Sequence, residues 1–307
     1  MIMGGEFKMK CLVEENQALN QIFARSSAVR LAIVLSLLLG ASDARPQSAQ
    51  EPGNVPETKA PAPTKTAPVQ VAPPQPAATQ PALLKHPDND YWRKHDALLL
   101  TDFPWLARFK EADAKLGAPS PGENRVVFMG DSITEGWHFD TPGGVFASRP
   151  YVNRGISGQT TPQMVLRFHL DVIALQPKVV VILAGTNDIA GNTGPMTPEQ
   201  TEDNIAAMAE MATANKIKVV LCSILPAFDY PWMPGLNPAP KIGALNVWIR
   251  NYAAKNGHVY VDYHSAMKDS HDGLPENLSK DGVHPLPAGY QIMAPLVEAG
   301  IAKALAQ

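Results

Sequence analysis

Asp281 and His284 stand three residues apart in Asp281-Gly282-Val283-His284-Pro285, a turn-like stretch that brings a carboxylate beside an imidazole. At that spacing the carboxylate can orient the ring through Nδ1 and leave Nε2 free for a serine hydroxyl. A serine suited to such a partner is Ser132 in Gly130-Asp131-Ser132, where the apolar run Val126-Val127-Phe128-Met129 stops abruptly. A short β-branched and aromatic run ended by glycine suits the interior of a parallel sheet, and ligands of such sheets bind just beyond the carboxyl ends of the strands. Taken alone, Asp131 and Ser132 fit the capping of a following helix equally well.

Two further polar clusters follow apolar runs in the same manner. Asn153-Arg154-Gly155-Ile156-Ser157-Gly158-Gln159-Thr160-Thr161 ends one, and Ala184-Gly185-Thr186-Asn187-Asp188 ends another. Three successive strands would thus deliver a glycine, Ser132 and Asn187 to one sheet edge, with Asp188 as a loop acceptor for backbone N–H groups. The runs at Val126, Tyr151 to Asn153, Lys178 to Leu183, Val219 to Leu225 and Val259 to Tyr263 read as five strands. Between them, Thr161 to Leu175, Pro198 to Asn215 and Lys241 to Lys255 carry apolar stripes at helical spacing. Strands alternating with helices of this length indicate right-handed βαβ units and a parallel sheet covered on both faces. Ahead of them, Trp92, Leu99, Phe103, Leu106 and Phe109 are loosely helical and broken at Pro104, which predicts helical pieces packed on the outside of the domain. Pro285 to Ala306 is expected to close it as a helical segment interrupted near Pro295.

With these blocks in hand, the chain resembles the GDSL, or SGNH, esterases and acylhydrolases. The likeness covers roughly Arg125 to Pro285 and rests on Gly130-Asp131-Ser132, Gly158 before Gln159-Thr160, Gly185-Thr186-Asn187-Asp188 and Asp281-Gly282-Val283-His284-Pro285, in the family's order. It implies a flavodoxin-like three-layer α/β/α sandwich with a five-stranded parallel sheet. It further implies Ser132 as nucleophile, His284 as general base and Asp281 as the acid that orients it. The oxyanion hole it implies comes from the backbone N–H of Ser132 and Gly158 and the side-chain amide of Asn187; Gly158 is chosen over Gly155 because it precedes Gln159-Thr160. These residue types suit the roles. A hydroxyl is a weak nucleophile until an imidazole takes its proton, the same imidazole protonates the leaving alcohol, and the developing negative charge needs preorganised donors. The serine lies outside a G-x-S-x-G elbow and comes before the acid and base, which argues against an α/β-hydrolase fold.

The implied activity is hydrolysis of carboxylic esters through an acyl-enzyme. Carbohydrate O-acetylesterase and lysophospholipase-like lipid acylhydrolase are the nearest alternatives, and a non-catalytic binding module or a flavin-binding protein on the same sheet stands in a different class. No cofactor and no metal are expected, because His86, His95, His138, His169, His258, His264 and His271 form no spaced cluster with cysteines or carboxylates. Asp262 and Asp272 are rival acids that lack a histidine at the Asp281–His284 spacing. Leu225 to Leu236, following the fourth strand, carries Phe228, Tyr230 and Trp232 among prolines, and such a loop would wall the site or pack on the helix beginning near Lys241. The expected preference is for short acyl groups.

The chain has 307 residues and a formal net charge of −3. It shows no basic stripe interleaved with aromatics, so a nucleic-acid partner is not expected; the expected partner is a small-molecule or saccharide ester. Arg25 and Arg30 precede the apolar run Leu31 to Leu39, which is short for a membrane span, and Ser42 and Ala44 fit a cleavage site, so residues 1–44 read as a secretory signal region. An uncleaved anchor or an extended start are the alternatives. Residues 45–87 are dominated by Pro, Ala, Gln and Thr and read as a disordered, extended spacer, leaving 88–307 as one domain expected to fold alone. A secreted or periplasmic location follows from this reading, with no stable membrane span after cleavage. Cys11 precedes the apolar run and Cys222 lies within the fourth strand, so the domain is expected to hold no internal disulfide.

Overall fold

The structure is a computed structural model and describes residue 87, residues 89–139 and residues 146–307. The expected signal region and nearly all of the expected spacer lie outside the described residues. Elements follow in the order α1 (Asp90–Thr101), α2 (Lys110–Leu116), β1 (Val126–Gly130), α3 (Ser132–Glu135), β2 (Tyr151–Gly155), α4 (Thr161–Asp171), β3 (Val179–Leu183) and α5 (Thr186–Ala190). They continue with α6 (Pro198–Ala214), β4 (Lys218–Cys222), α7 (Ala239–Asn256), β5 (Val259–Val261), α8 (Tyr263–Met267) and α9 (Pro287–Leu305). The five strands form one sheet in the order β2-β1-β3-β4-β5, every pair parallel. This is the flavodoxin-like order, whose reversal falls between β1 and β3 and opens a crevice at their carboxyl ends.

Side chains alternate along a strand, and the two faces are filled accordingly. Val127, Met129, Val180, Ile182, Val219 and Leu221 pack with Met164 and Phe168 of α4, Ile205 and Met208 of α6, and Ile242 and Ile249 of α7. Val126, Phe128, Val179, Val181, Val220 and Cys222 face the other way, onto Tyr263 of α8 and Met293, Val297 and Ile301 of α9. Burial suits the apolar role expected of Cys222, whose thiol is pushed up to about 12.

Element ends differ from the sequence reading for local reasons. β4 stops at Cys222 rather than Leu225, because Ile224 leaves the sheet to bond Asn246 of α7, donating its N–H to Oδ1 (2.7 Å) and accepting from Nδ2 (3.0 Å). β5 ends at Val261 because the Asp262 carboxylate caps α8 through the Ser265 N–H at 3.0 Å. Helix α9 runs through Pro295 without the expected interruption. Pro295 and Gln291, whose carbonyl loses its partner, are both exposed, so water can satisfy that carbonyl while Met293, Ala294, Val297 and Ile301 hold the buried face. The N-terminal helix α1, capped by Asn89, packs on the outside of the domain as expected, with Trp92 its one buried residue, and lies against the loop after β2.

Beneath the carboxyl ends of β1 and β2 lies Arg167 of α4, 0 % exposed. It donates to Gly130 O (3.0 Å), Arg154 O (2.8 Å), Gln159 Oε1 (2.6 Å) and Asp171 Oδ2 (2.8 Å). Burial pulls its guanidinium down and pushes the Asp171 carboxyl up, while each group's charge opposes the shift of the other. Breaking such a buried pair strands a charge and costs about 3–5 kcal/mol. Arg167→Met is therefore expected to lower unfolding free energy by about that amount in urea titration. A loss under about 1 kcal/mol would show that the sheet edge does not depend on this side chain.

Candidate active site

Ser132 opens α3, and its neighbour Asp131 caps the helix by accepting the Ile133 N–H at 2.9 Å. Capping and presentation are thus not alternatives: Asp131 caps, and the Ser132 side chain is left half-buried with Oγ 2.9 Å from His284 Nε2. His284 Nδ1 is 2.6 Å from Asp281 Oδ2. The other Asp281 oxygen accepts from Ser279 Oγ (3.0 Å), Val283 N (3.0 Å) and His284 N (2.8 Å). Burial pushes the Asp281 carboxyl up, but the bonds from the His284 backbone and ring and from Val283 outweigh it and hold the group at about 2. The rivals are engaged elsewhere, Asp262 in capping α8 and Asp272 with Lys268 Nζ at 2.7 Å.

The loop after β2 is fixed to α3 by backbone approach and by one carboxylate. A Cβ on Gly155 would come within 2.1 Å of Glu135 N and 2.7 Å of Asp131 O, so only glycine fits there. Glu135 Oε2 accepts from Ser157 N (2.8 Å) and Ser157 Oγ (2.5 Å), while Arg108 Nη2 donates to Oε1 at 3.1 Å. Gly158 follows with φ +77°, a left-handed conformation that glycine adopts at least cost. Of the two glycines considered, Gly158 lines the cleft around Ser132, and Gly155 serves the close approach behind it.

Asn187 sits in α5 at the end of β3, its side chain buried and held at both ends. Its Nδ2 donates to Gln159 O at 3.0 Å, leaving one of its two hydrogens for another acceptor, and its Oδ1 accepts from Asn192 Nδ2 at 2.8 Å. Asn192 Nδ2 also donates to Gly158 O (3.2 Å), and Asn192 Oδ1 accepts from the Trp232 indole N–H at 3.1 Å. A relay of amides therefore runs from Trp232 to Asn187 and the glycine loop. Asn192 carries no motif or periodicity in the sequence that could have marked it. Asp188, read as a loop acceptor, takes the Thr161 N–H at 3.1 Å and the Thr161 hydroxyl.

A cleft of about 300 Å³ joins these groups, lined by Ser132, Gly158, Asn187, Asn192 and His284, with Trp232 and the α1 residues Tyr91 and Trp92 as aromatic walls. The three aromatics of the Leu225–Leu236 loop separate: Tyr230 is 0 % exposed and stacks on Trp232, Phe228 is 65 % exposed, and Trp232 alone reaches the cleft, its ring centroid 6.1 Å from that of His284. The α1 aromatics escaped sequence reading because a helical stripe tells that a face is covered, not what it covers. The arrangement can activate a hydroxyl next to an amide donor.

Known proteins share this frame. A solved structure of a GDSL-like lipase from Bacteroides thetaiotaomicron VPI-5482 is 47% identical, with a TM-score of 0.63, covering 66% of this chain and 100% of that one. An acetylxylan esterase of Xylanibacter ruminicola is 27% identical over 261 residues, 72% of this chain and 52% of the relative, so the chain spans about half that protein's length. Esterase TesA of Pseudomonas aeruginosa is 29% identical over 172 residues, 52% of this chain and 79% of the relative. Residues 128–292, which hold the Ser132, Asn187, Asp281 and His284 contacts, match the family directly, and the chain belongs to the GDSL-like lipase/acylhydrolase family.

Proposed function

We propose that the protein is a serine carboxylic-ester hydrolase that acts through an acyl-enzyme on short-chain or acetyl esters. The observation that carries this reading is the unbroken contact from Ser132 Oγ through His284 to Asp281 in a cleft shared with the Asn187 amide. In this mechanism Ser132 Oγ attacks the ester carbonyl carbon and passes its proton to His284 Nε2. The carbonyl oxygen becomes an oxyanion facing the backbone N–H groups of Ser132 and Gly158 and the Asn187 amide. As the C–O bond breaks, His284 returns the proton to the leaving alcohol; water, deprotonated by the same ring, then attacks the acyl-enzyme and releases the acid and Ser132. Asp281 stays anionic throughout, holds the tautomer that donates from Nδ1 and stabilises the imidazolium.

A saccharide O-acetyl ester is the second reading. Trp232 beside His284 offers a flat face on the side from which the alcohol departs, and the relative from Xylanibacter ruminicola is named an acetylxylan esterase. For location, the N-terminal leader and spacer support export to the periplasm or beyond; among the described residues no helix is long and apolar enough to cross a membrane.

Ser132→Ala is expected to leave the fold intact, to lower kcat by about 10⁴-fold or more, and to abolish covalent labelling by a fluorophosphonate. Labelling that persists at another serine would reject Ser132 as nucleophile. Asn187→Ala is expected to reduce kcat by about 10²–10³ with little change in KM, because the donor acts on the transition state. A raised KM at equal kcat would make it a substrate-binding residue instead. Activity is expected to fall on acidification as His284 takes a proton and can no longer accept one from Ser132. Asp281, held at about 2, stays ionised through that range, so a flat profile from acid to neutral pH would remove His284 as the base.

A further inference from the structure

The cleft has two sides, and the chemistry assigns them. His284 must hand its proton to the leaving oxygen, so the alcohol departs on the side of His284 and Trp232. The acyl group is then left the remainder of the cleft, whose lining includes Ser157 and Tyr91. A second cavity of about 240 Å³, between α1 and the loop after β2, adjoins the cleft and shares Tyr91 and Ser157 with it. A Cβ at Gly158 would come 2.9 Å from the Tyr91 hydroxyl and 3.3 Å from His95 Cδ2, so α1 lies directly over the loop that carries the glycine donor.

The cavity is walled by Leu98, Leu99, Trp105 and Ile156, with the Gln159 and Gln163 amides at its edge. Those amides are committed elsewhere. Gln159 donates to Pro104 O (2.9 Å) and accepts from Arg167, while Gln163 donates to Phe103 O (2.6 Å) and accepts from Thr160 N (2.9 Å). Lys94 and His95 of α1 also line the cavity, and the rest of its surface is mostly apolar. At about 30 Å³ per water-sized group, the space holds about eight such groups, the size of a short aliphatic tail.

We propose that this cavity is the acyl subsite, completed by α1 and sized for straight acyl chains of up to about eight carbons. The proposal rests on the ester-hydrolase reading and extends it to the identity of the acyl group. It also makes α1, which precedes the residues matched to the family, a specificity-determining element. Each methylene that enters the cavity gains roughly fourfold in binding, and chains longer than the cavity expose their ends and gain nothing more.

The test is kcat/KM for p-nitrophenyl acetate, butyrate, hexanoate, octanoate and dodecanoate with the full chain, Leu98→Trp, which fills the cavity, and Leu99→Ala, which enlarges it. Alongside, hexanamide binding to the three proteins is measured by titration calorimetry, which needs no turnover. The wild type is expected to hold its rate to about octanoate and to drop at dodecanoate. Leu98→Trp is expected to lower the hexanoate-to-acetate ratio by about tenfold or more and to abolish hexanamide binding, and Leu99→Ala to move the drop toward longer chains. Melting temperatures report whether each variant is folded, and if Leu98→Trp is not, Leu99→Ala decides alone. Unchanged ratios and unchanged hexanamide binding in the folded variants would overturn the subsite. Absence of turnover on every ester, with hexanamide still bound and still displaced by Leu98→Trp, would instead overturn the ester-hydrolase reading and leave the cavity as a binding site.

Discussion

A guanidinium with no water around it sets the geometry of the catalytic edge. Arg167 can be buried only if its donors find acceptors, and those acceptors are Gly130 O at the end of β1, Arg154 O at the end of β2, the Gln159 side chain in the loop and Asp171 one turn along its own helix. Satisfying one charge thus fixes the spacing of the two strands that carry Ser132 and the glycine loop. Gly130 O also receives the Ile156 N–H at 3.1 Å, so the same carbonyl ties loop, strand and helix together. An apolar residue at position 167 could fill the space but would take its donors from Arg154 O, Gln159 Oε1 and Asp171 Oδ2 and leave Gly130 O to the Ile156 N–H, weakening what specifies where the loop turns.

Above that layer the donors of the cleft are aimed by second contacts rather than by their own rotamers. Asn187 is clamped because Asn192 holds its oxygen and Gln159 O holds its nitrogen, and Asn192 is clamped in turn by Trp232. Trp232 therefore makes two contacts at the cleft: the ring lies beside His284, and the indole N–H ends the amide relay. Glu135 plays the corresponding part for the glycine loop, with both Ser157 donors on one oxygen and Arg108 on the other. Preorganisation of this kind lets hydrogen-bond donors stabilise a developing charge without reorganising when it appears.

The sequence made the five strands and their common edge legible because buried parallel strands are continuous apolar runs, and the first three end in or just before glycine with a polar residue close behind. Ser132, Asn187, Asp281 and His284 were legible for the same reason, as small polar clusters at strand ends and one acid–imidazole turn, and the structure brings Ser132, Asn187 and His284 to one cleft with Gly158, with Asp281 bonded to the His284 ring. What stayed hidden depends on contacts between segments distant in the chain. Asn192 matters only through Asn187 and Trp232. The end of β4 is decided by Asn246, far along α7, and the partition of Phe228, Tyr230 and Trp232 into solvent, core and cleft depends on which way a proline-rich loop turns. The placement of α1 over the glycine loop is of the same kind.

Three carboxylates around Ser132 show how the site draws on the stability of the rest. Burial pushes Asp131 and Asp188 up to about 6, the first with one oxygen bonded to Ile133 N and the other without a partner among the described residues. Asp281 goes the opposite way, to about 2, because its hydrogen bonds outweigh its burial. The signs therefore oppose each other. A carboxyl raised in the fold contributes stability that is full below its unfolded value of about 3.9 and is lost as pH climbs through about 6, whereas Asp281 contributes stability above about 3.9 that is lost as pH falls through about 2. At neutral pH Asp131 and Asp188 are ionised at a cost to the fold, and what they provide in that state is negative charge and hydrogen-bond acceptors under the site: His284 lies close enough to Asp131 to favour its charged form. In the proposed mechanism an imidazolium formed as Ser132 attacks would meet two anions, Asp281 in contact and Asp131 nearby, while the oxyanion would form on the side of the amide and backbone donors. On that proposal, opposite charges of the transition state are received by different groups of one cleft, and the stability given up to bury Asp131 is the cost of that separation.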